Sequence, residues 1–141
     1  MKSLLHFLRP LVGVIFVLAS FDKLQHPGAF AAIVENYRIL PALFVNPVAV
    51  VLPWVEFLCG LGLILNVMAR GASLVAAVLM AIFLCALGFN LYRGLDVACG
   101  CFSTDPTATG NALWYLLRDA AIGLLSLIVF LMSVSEQRHT R

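Results

Sequence analysis

Ala72-Ser73-Leu74-Val75-Ala76-Ala77-Val78-Leu79-Met80-Ala81-Ile82-Phe83-Leu84-Cys85-Ala86-Leu87-Gly88-Phe89-Asn90-Leu91-Tyr92 is a run of 21 residues without one Asp, Glu, Lys or Arg. As an α-helix, a run of this length crosses the ~30 Å hydrocarbon layer of a bilayer. Arg70 and Gly71 stand just before it, and 48–68 on the far side of that tight connection is a second apolar run, so the pair predicts an antiparallel hairpin of spanning helices. Two further runs, 8–24 and 112–134, flank the hairpin. Over the 141 residues, 62% are hydrophobic and 11% charged, whereas a soluble domain is about 45–50% apolar and ~25% charged. No segment alternates with period two, and a membrane barrel needs about eight strands that do. The expected fold is all-α, a single four-helix transmembrane bundle over 1–141.

Basic residues near the span ends set the expected orientation. Lys2, Arg9, Arg70, Arg138 and Arg141 fall on the side of the termini, and Lys23, Arg38 and Arg93 on the other. This bias predicts both termini in the cytoplasm of a bacterial-type inner membrane, with Tyr37, Trp54, Tyr92, Trp114 and Tyr115 near the outer interface. Lys2 and Arg9 before an apolar core that reaches Ala19 and Ser20 also fit a signal peptide, but the run continues through Phe21 to Leu24, so a retained span is expected. In the first outer connection, Pro27, Pro41 and Pro47 surround 29–39, where Phe30, Ile33, Val34 and Tyr37 recur at helical spacing; a short interfacial helix is expected there. A net charge of +2 without a basic run excludes a nucleic-acid groove as the main function.

The second outer connection, 93–111, is the least apolar segment between spans, and it holds Cys99-Gly100-Cys101. In an extended chain the two Cα atoms lie near the ~6.8 Å limit of disulfide geometry, so closing the bridge requires the turn that Gly100 permits. A strained bridge is oxidising and exchangeable, and one that closes so short a loop contributes little as a staple. Zinc needs four ligands, and His6, His26 and His139 all lie outside this connection. Two thiolates suffice for Cu(I), which keeps a metal-handling reading open. Cys59 and Cys85 lie inside spans and read first as small hydrophobes. An inner thiol relay between them requires them to face each other, and their depths differ by roughly 7 Å.

Charge inside the spans is the second signal. Glu56 in the second span and Arg118 and Asp119 in the fourth fall at similar depth, and an ionised group in hydrocarbon costs at least ~2.5–3.5 kcal/mol, so they should face inward and pair. Neighbouring positions on a helix point about 100° apart, so the expected pairs are Arg118 with Glu56, and Asp119 with Lys23 or Arg93. Asn90 is a candidate further member. The cluster either fixes helix register or, lying beneath the cysteine connection, favours the thiolate that attacks and leaves in exchange.

Phe21-Asp22-Lys23-Leu24, Leu52-Pro53-Trp54-Val55-Glu56, Arg93-Gly94 followed by Cys99-Gly100-Cys101-Phe102, and Trp114 with Leu117-Arg118-Asp119 together resemble the MauE family, within the wider DoxX-like group of four-helix membrane proteins. The resemblance covers nearly the whole chain in order. It implies a redox-associated membrane protein that works with a thioredoxin-like partner in disulfide formation or cofactor maturation of exported proteins, with Cys99 and Cys101 as the redox pair and Glu56, Arg118 and Asp119 as the intramembrane polar set. The family commonly has an acidic residue before the first cysteine and a glycine after the phenylalanine, where this chain has Ala98 and Ser103.

The functional expectation is thiol–disulfide exchange through Cys99 and Cys101 with a thioredoxin-fold protein on the outer face, a membrane quinone being one outlet for electrons. The competing expectations are a non-catalytic subunit packed against other membrane subunits through Gly and Ala faces, and Cu(I) delivery by the same two thiols.

Overall fold

Four helices in this computed structural model are long and apolar enough to cross a membrane. The structure describes residues 2–95 and 111–138; Cys99 and Cys101, in the stretch 96–110, lie outside the described residues. The long helices are α1 (Lys2–Gln25), α3 (Ala42–Ile64), α4 (Ala69–Tyr92) and α5 (Ala112–Arg138), and the short α2 (Pro27–Asn36) follows α1. Around the bundle the order is α1, α3, α4, α5, with α5 closing back onto α1 and α2 lying against α3. All four long helices supply the core: Val12 and Phe16, Leu63, Ala76 and Met80, and Ile122 and Val129 are buried together.

The outward faces are apolar all round, including Leu18, Phe21, Val51, Leu58, Ile82, Leu124 and Leu131, while the buried set contains Arg9, Lys23, Glu56 and Asp119. Charges inside and leucines outside suit a lipid surround. α1 and α3 cross at two glycines. A Cβ on Gly13 would lie 2.7 Å from the Gly60 carbonyl oxygen, and one on Gly60 would lie 2.8 Å from that of Gly13. Backbones can approach this closely only where side chains are absent.

Helix boundaries differ from the sequence expectation: α1 starts at Lys2 rather than 8, α4 at Ala69 rather than 72, and α5 runs on to Arg138 rather than 134. α3 starts at Ala42 and ends at Ile64, earlier at both ends than the expected 48–68. Pro41 is its N-cap, whereas Pro47 and Pro53 are carried inside the helix, each removing one backbone bond that a packed membrane helix can forgo. Asn66 and Met68, at φ 57° and 50°, then turn the chain into α4. The short helix expected at 29–39 runs over Pro27–Asn36, because Pro27 takes a first-turn position and Arg38 at φ 49° ends it.

Candidate functional site

α4 stops at the cysteine connection by a backbone device readable in Arg93-Gly94. Gly94 takes φ 72°, its N–H donates to the Leu91 carbonyl at 3.0 Å, and the Leu95 N–H donates to the Asn90 carbonyl at 3.0 Å. This is a Schellman closure, in which glycine enters the left-handed region without a Cβ penalty. On the far side, the Asn111 carbonyl accepts the N–H groups of Trp114 and Tyr115 to open α5. The segment bearing Cys99 and Cys101 is therefore anchored at both ends on one face of the bundle, the face where α1 ends and α3 begins. We call it the loop end, and the opposite face the terminal end.

Beneath the loop end, Lys23 and Glu56 form a buried pair. Lys23 Nζ donates to Glu56 Oε1 at 2.9 Å and Oε2 at 2.7 Å, with the residues 1% and 3% exposed. The rings of Phe30 and Phe83 complete the ammonium's surroundings, their centroids 5.2 and 5.1 Å from Nζ. A cation held against ring faces gains about 0.5–1 kcal/mol at exposed sites and about 2 kcal/mol or more where the site is desolvated.

Arg118 turns to its own neighbour. Its Nε and Nη2 donate to Asp119 Oδ1 at 3.1 and 3.0 Å, and its guanidinium carbon stands 5.3 Å from the Tyr115 ring centroid. This corrects the expected pairing of Arg118 with Glu56 and of Asp119 with Lys23 or Arg93. Asp119 is 1% exposed, and a side chain as long as arginine covers the angle between adjacent helix positions by lying across the helix surface. Lys23, Glu56 and Asp119 nevertheless line one small cavity of ≈20 Å³, with Phe83 and Met80. These three residues thus converge, but within two charge-neutral pairs. Arg93 rests on the Phe89 ring at 5.3 Å and stays exposed at the end of α4.

Asn90 is fully buried, and neither of its side-chain polar atoms has a partner among the described residues. Cys59 is buried, Cys85 is exposed, and both are free thiols, so they form no bridge with each other. Among the described residues no group of His, Cys, Asp and Glu could hold a metal ion. An apolar groove of ≈220 Å³ opens between α2, α3 and α4, and Phe30 and Phe83 form part of its wall.

A second polar cluster, at the terminal end, was not anticipated. Arg9 is 8% exposed. Its Nη1 donates to Asn66 Oδ1 at 2.9 Å, and its Nη2 donates to Ser133 Oγ at 3.1 Å and to Glu136 Oε2 at 3.4 Å. The sequence signal for its burial is its place between Leu8 and Pro10-Leu11 within an apolar run.

The profile of the family "Methylamine utilisation protein MauE" matches residues 1–132. The chain belongs to the MauE family. Among its relatives, the methylamine utilization protein MauE of Paracoccus denitrificans is 40% identical over 124 residues, 86% of this chain and 66% of that protein. The Methylophilus methylotrophus protein of the same name is 32% identical over 119 residues, 84% of this chain and 63% of the relative. That of Methylorubrum extorquens is 37% identical over 120 residues, again 84% and 63%. The match thus spans just under two thirds of each of these relatives. No solved structure matches the chain. Family membership and the four candidate spans together make it a multi-pass membrane protein.

Proposed function

We propose that this MauE-family chain exchanges disulfides with a thioredoxin-fold protein through Cys99 and Cys101, on the outer face of a bacterial inner membrane with both termini in the cytoplasm, and that it thereby supports maturation of exported proteins. The reading rests most on one observation. The connection that carries Cys99-Gly100-Cys101 is anchored by Gly94 and Asn111 at the same end of the bundle as the buried polar pairs.

In the exchange, a thiolate of one cysteine attacks a partner sulfur, the partner's second sulfur leaves as thiolate, and the remaining cysteine resolves the mixed disulfide. One dithiol is oxidised as one disulfide is reduced, so electrons balance in either direction. The Lys23–Glu56 and Arg118–Asp119 pairs are neutral as units; the first ties α1 to α3, and the second lies within α5. Arg93 has no carboxylate partner among the described residues and stands six residues before Cys99, so it is the cation placed to favour a thiolate there. A lipid-soluble quinone is the acceptor suited to the lateral apolar groove; it would take up two electrons and two protons as the dithiol closes.

The test is a redox titration of the purified protein in glutathione buffers, with alkylation and mass spectrometry of the Cys99–Cys101 peptide. Reversible titration near a physiological potential supports exchange. A bridge that resists reduction throughout sinks the reading and favours a structural subunit.

A further inference from the structure

At the terminal end, the groups that hold Arg9 leave an open polar recess of ≈490 Å³, lined among others by Arg9, Asn66, Arg70, Gly71 and Glu136. Its size is within the ~300–1,000 Å³ of small-molecule sites. The charged groups on its wall are two guanidinium groups and one carboxylate, a surplus of one positive charge. Arg9 is held by Asn66, Ser133 and Glu136, yet it is 8% exposed and its Nε has no partner. Arg70 is exposed, and its guanidinium makes no ion pair among the described residues.

The start of α4 adds a second source of positive potential. Its N-cap is Met68, left-handed at φ 50° and without a side-chain cap. The Ala72 N–H reaches the Met68 carbonyl at 3.0 Å, so the N–H groups of Ala69, Arg70 and Gly71 have no acceptor within the helix. The end of a long helix carries about half a positive charge, and here it meets two arginines in one concavity.

We infer that this recess binds the phosphate of an anionic phospholipid headgroup. The lipid source follows from position. α4 is a candidate span from Ala69 onward, which puts the recess at headgroup depth, and Leu65, Val67 and Met68 beside it are exposed and apolar, as contact with acyl chains requires. Arg70 and the α4 N–H groups face the phosphate oxygens, and Arg9 supplies fixed charge behind them. The inference is independent of the cysteines and of which way the chain faces.

Native mass spectrometry of the full-length protein, released from detergent with equal amounts of phosphatidylglycerol and phosphatidylcholine, tests it. The expected result is retention of phosphatidylglycerol over phosphatidylcholine by roughly tenfold: both lipids offer the phosphate, but the quaternary ammonium of phosphatidylcholine meets the surplus positive charge of the recess. Arg70→Gln abolishes the preference, and Arg70→Lys keeps most of it. Arg38→Gln, at an exposed arginine of the opposite end, leaves it unchanged. Equal retention of the two lipids overturns the inference, as does an unaffected Arg70→Gln. An equal loss in Arg38→Gln overturns it too, since that is the mark of diffuse charge attraction. Displacement of the lipid by millimolar inorganic phosphate would show a site for the free anion instead and also overturns it.

Discussion

Lys23 and Glu56 meet at 2.7 Å although their backbones lie at different depths. Measured from the Gly13–Gly60 crossing, Lys23 is ten residues and Glu56 four residues toward the loop end, about 9 Å apart along the bundle. Side chains lean toward the N-terminus of their own helix. In this antiparallel pair Lys23 therefore leans inward and Glu56 outward, and the four-carbon lysine stem closes the gap.

The pair stabilises the bundle only while both members are present. Lys23→Met leaves a carboxylate buried without its partner and should destabilise by about 3–5 kcal/mol. Lys23→Met with Glu56→Gln should recover most of that loss. A double-mutant cycle on detergent unfolding reads the coupling; additive effects would contradict the pairing.

At the crossing of α1 and α3 there is no room for a methyl group. Gly60→Ala brings a Cβ to 2.8 Å from the Gly13 carbonyl oxygen, and the forced separation should cost about 1–3 kcal/mol. Gly28→Ala, where a Cβ meets nothing within 4 Å, is the control and should leave unfolding nearly unchanged.

Asn66 has two separable roles, a left-handed backbone at φ 57° and an acceptor for Arg9 Nη1 at 2.9 Å. Asn66→Gly keeps the first and loses the second, about 1.5–3 kcal/mol for a hydrogen bond to a charged group. Asn66→Ala should cost about 1 kcal/mol more, because alanine is also strained at positive φ. Equal losses in the two variants would show that backbone conformation contributes nothing there.

The long helices were legible because charge-free runs such as 72–92 allow one structure in a bilayer, and the inward burial of Glu56 and Asp119 followed from the cost of charge in lipid. Partner choice was not legible. Comparing depths alone paired Arg118 with Glu56 and missed the lean of Lys23; angular separation alone denied Arg118 its neighbour, where side-chain length prevailed. The apolar run at 48 begins just after Pro47, yet α3 carries that proline inside it. Arg9 stands near a span end as a topological charge does, and only packing brings Asn66, Ser133 and Glu136, distant in sequence, around it.

The central claim is that Cys99 and Cys101 exchange with a partner, and trapping in native membranes tests it most directly. Membranes acid-quenched and alkylated from wild type, Cys99→Ser and Cys101→Ser are compared by non-reducing gel and mass spectrometry. The account predicts a mixed disulfide that accumulates in one single variant, which identifies the attacking cysteine, with a thioredoxin-fold protein as the linked species. A pair that is always oxidised, inert to reductant and never joined to another protein would contradict it.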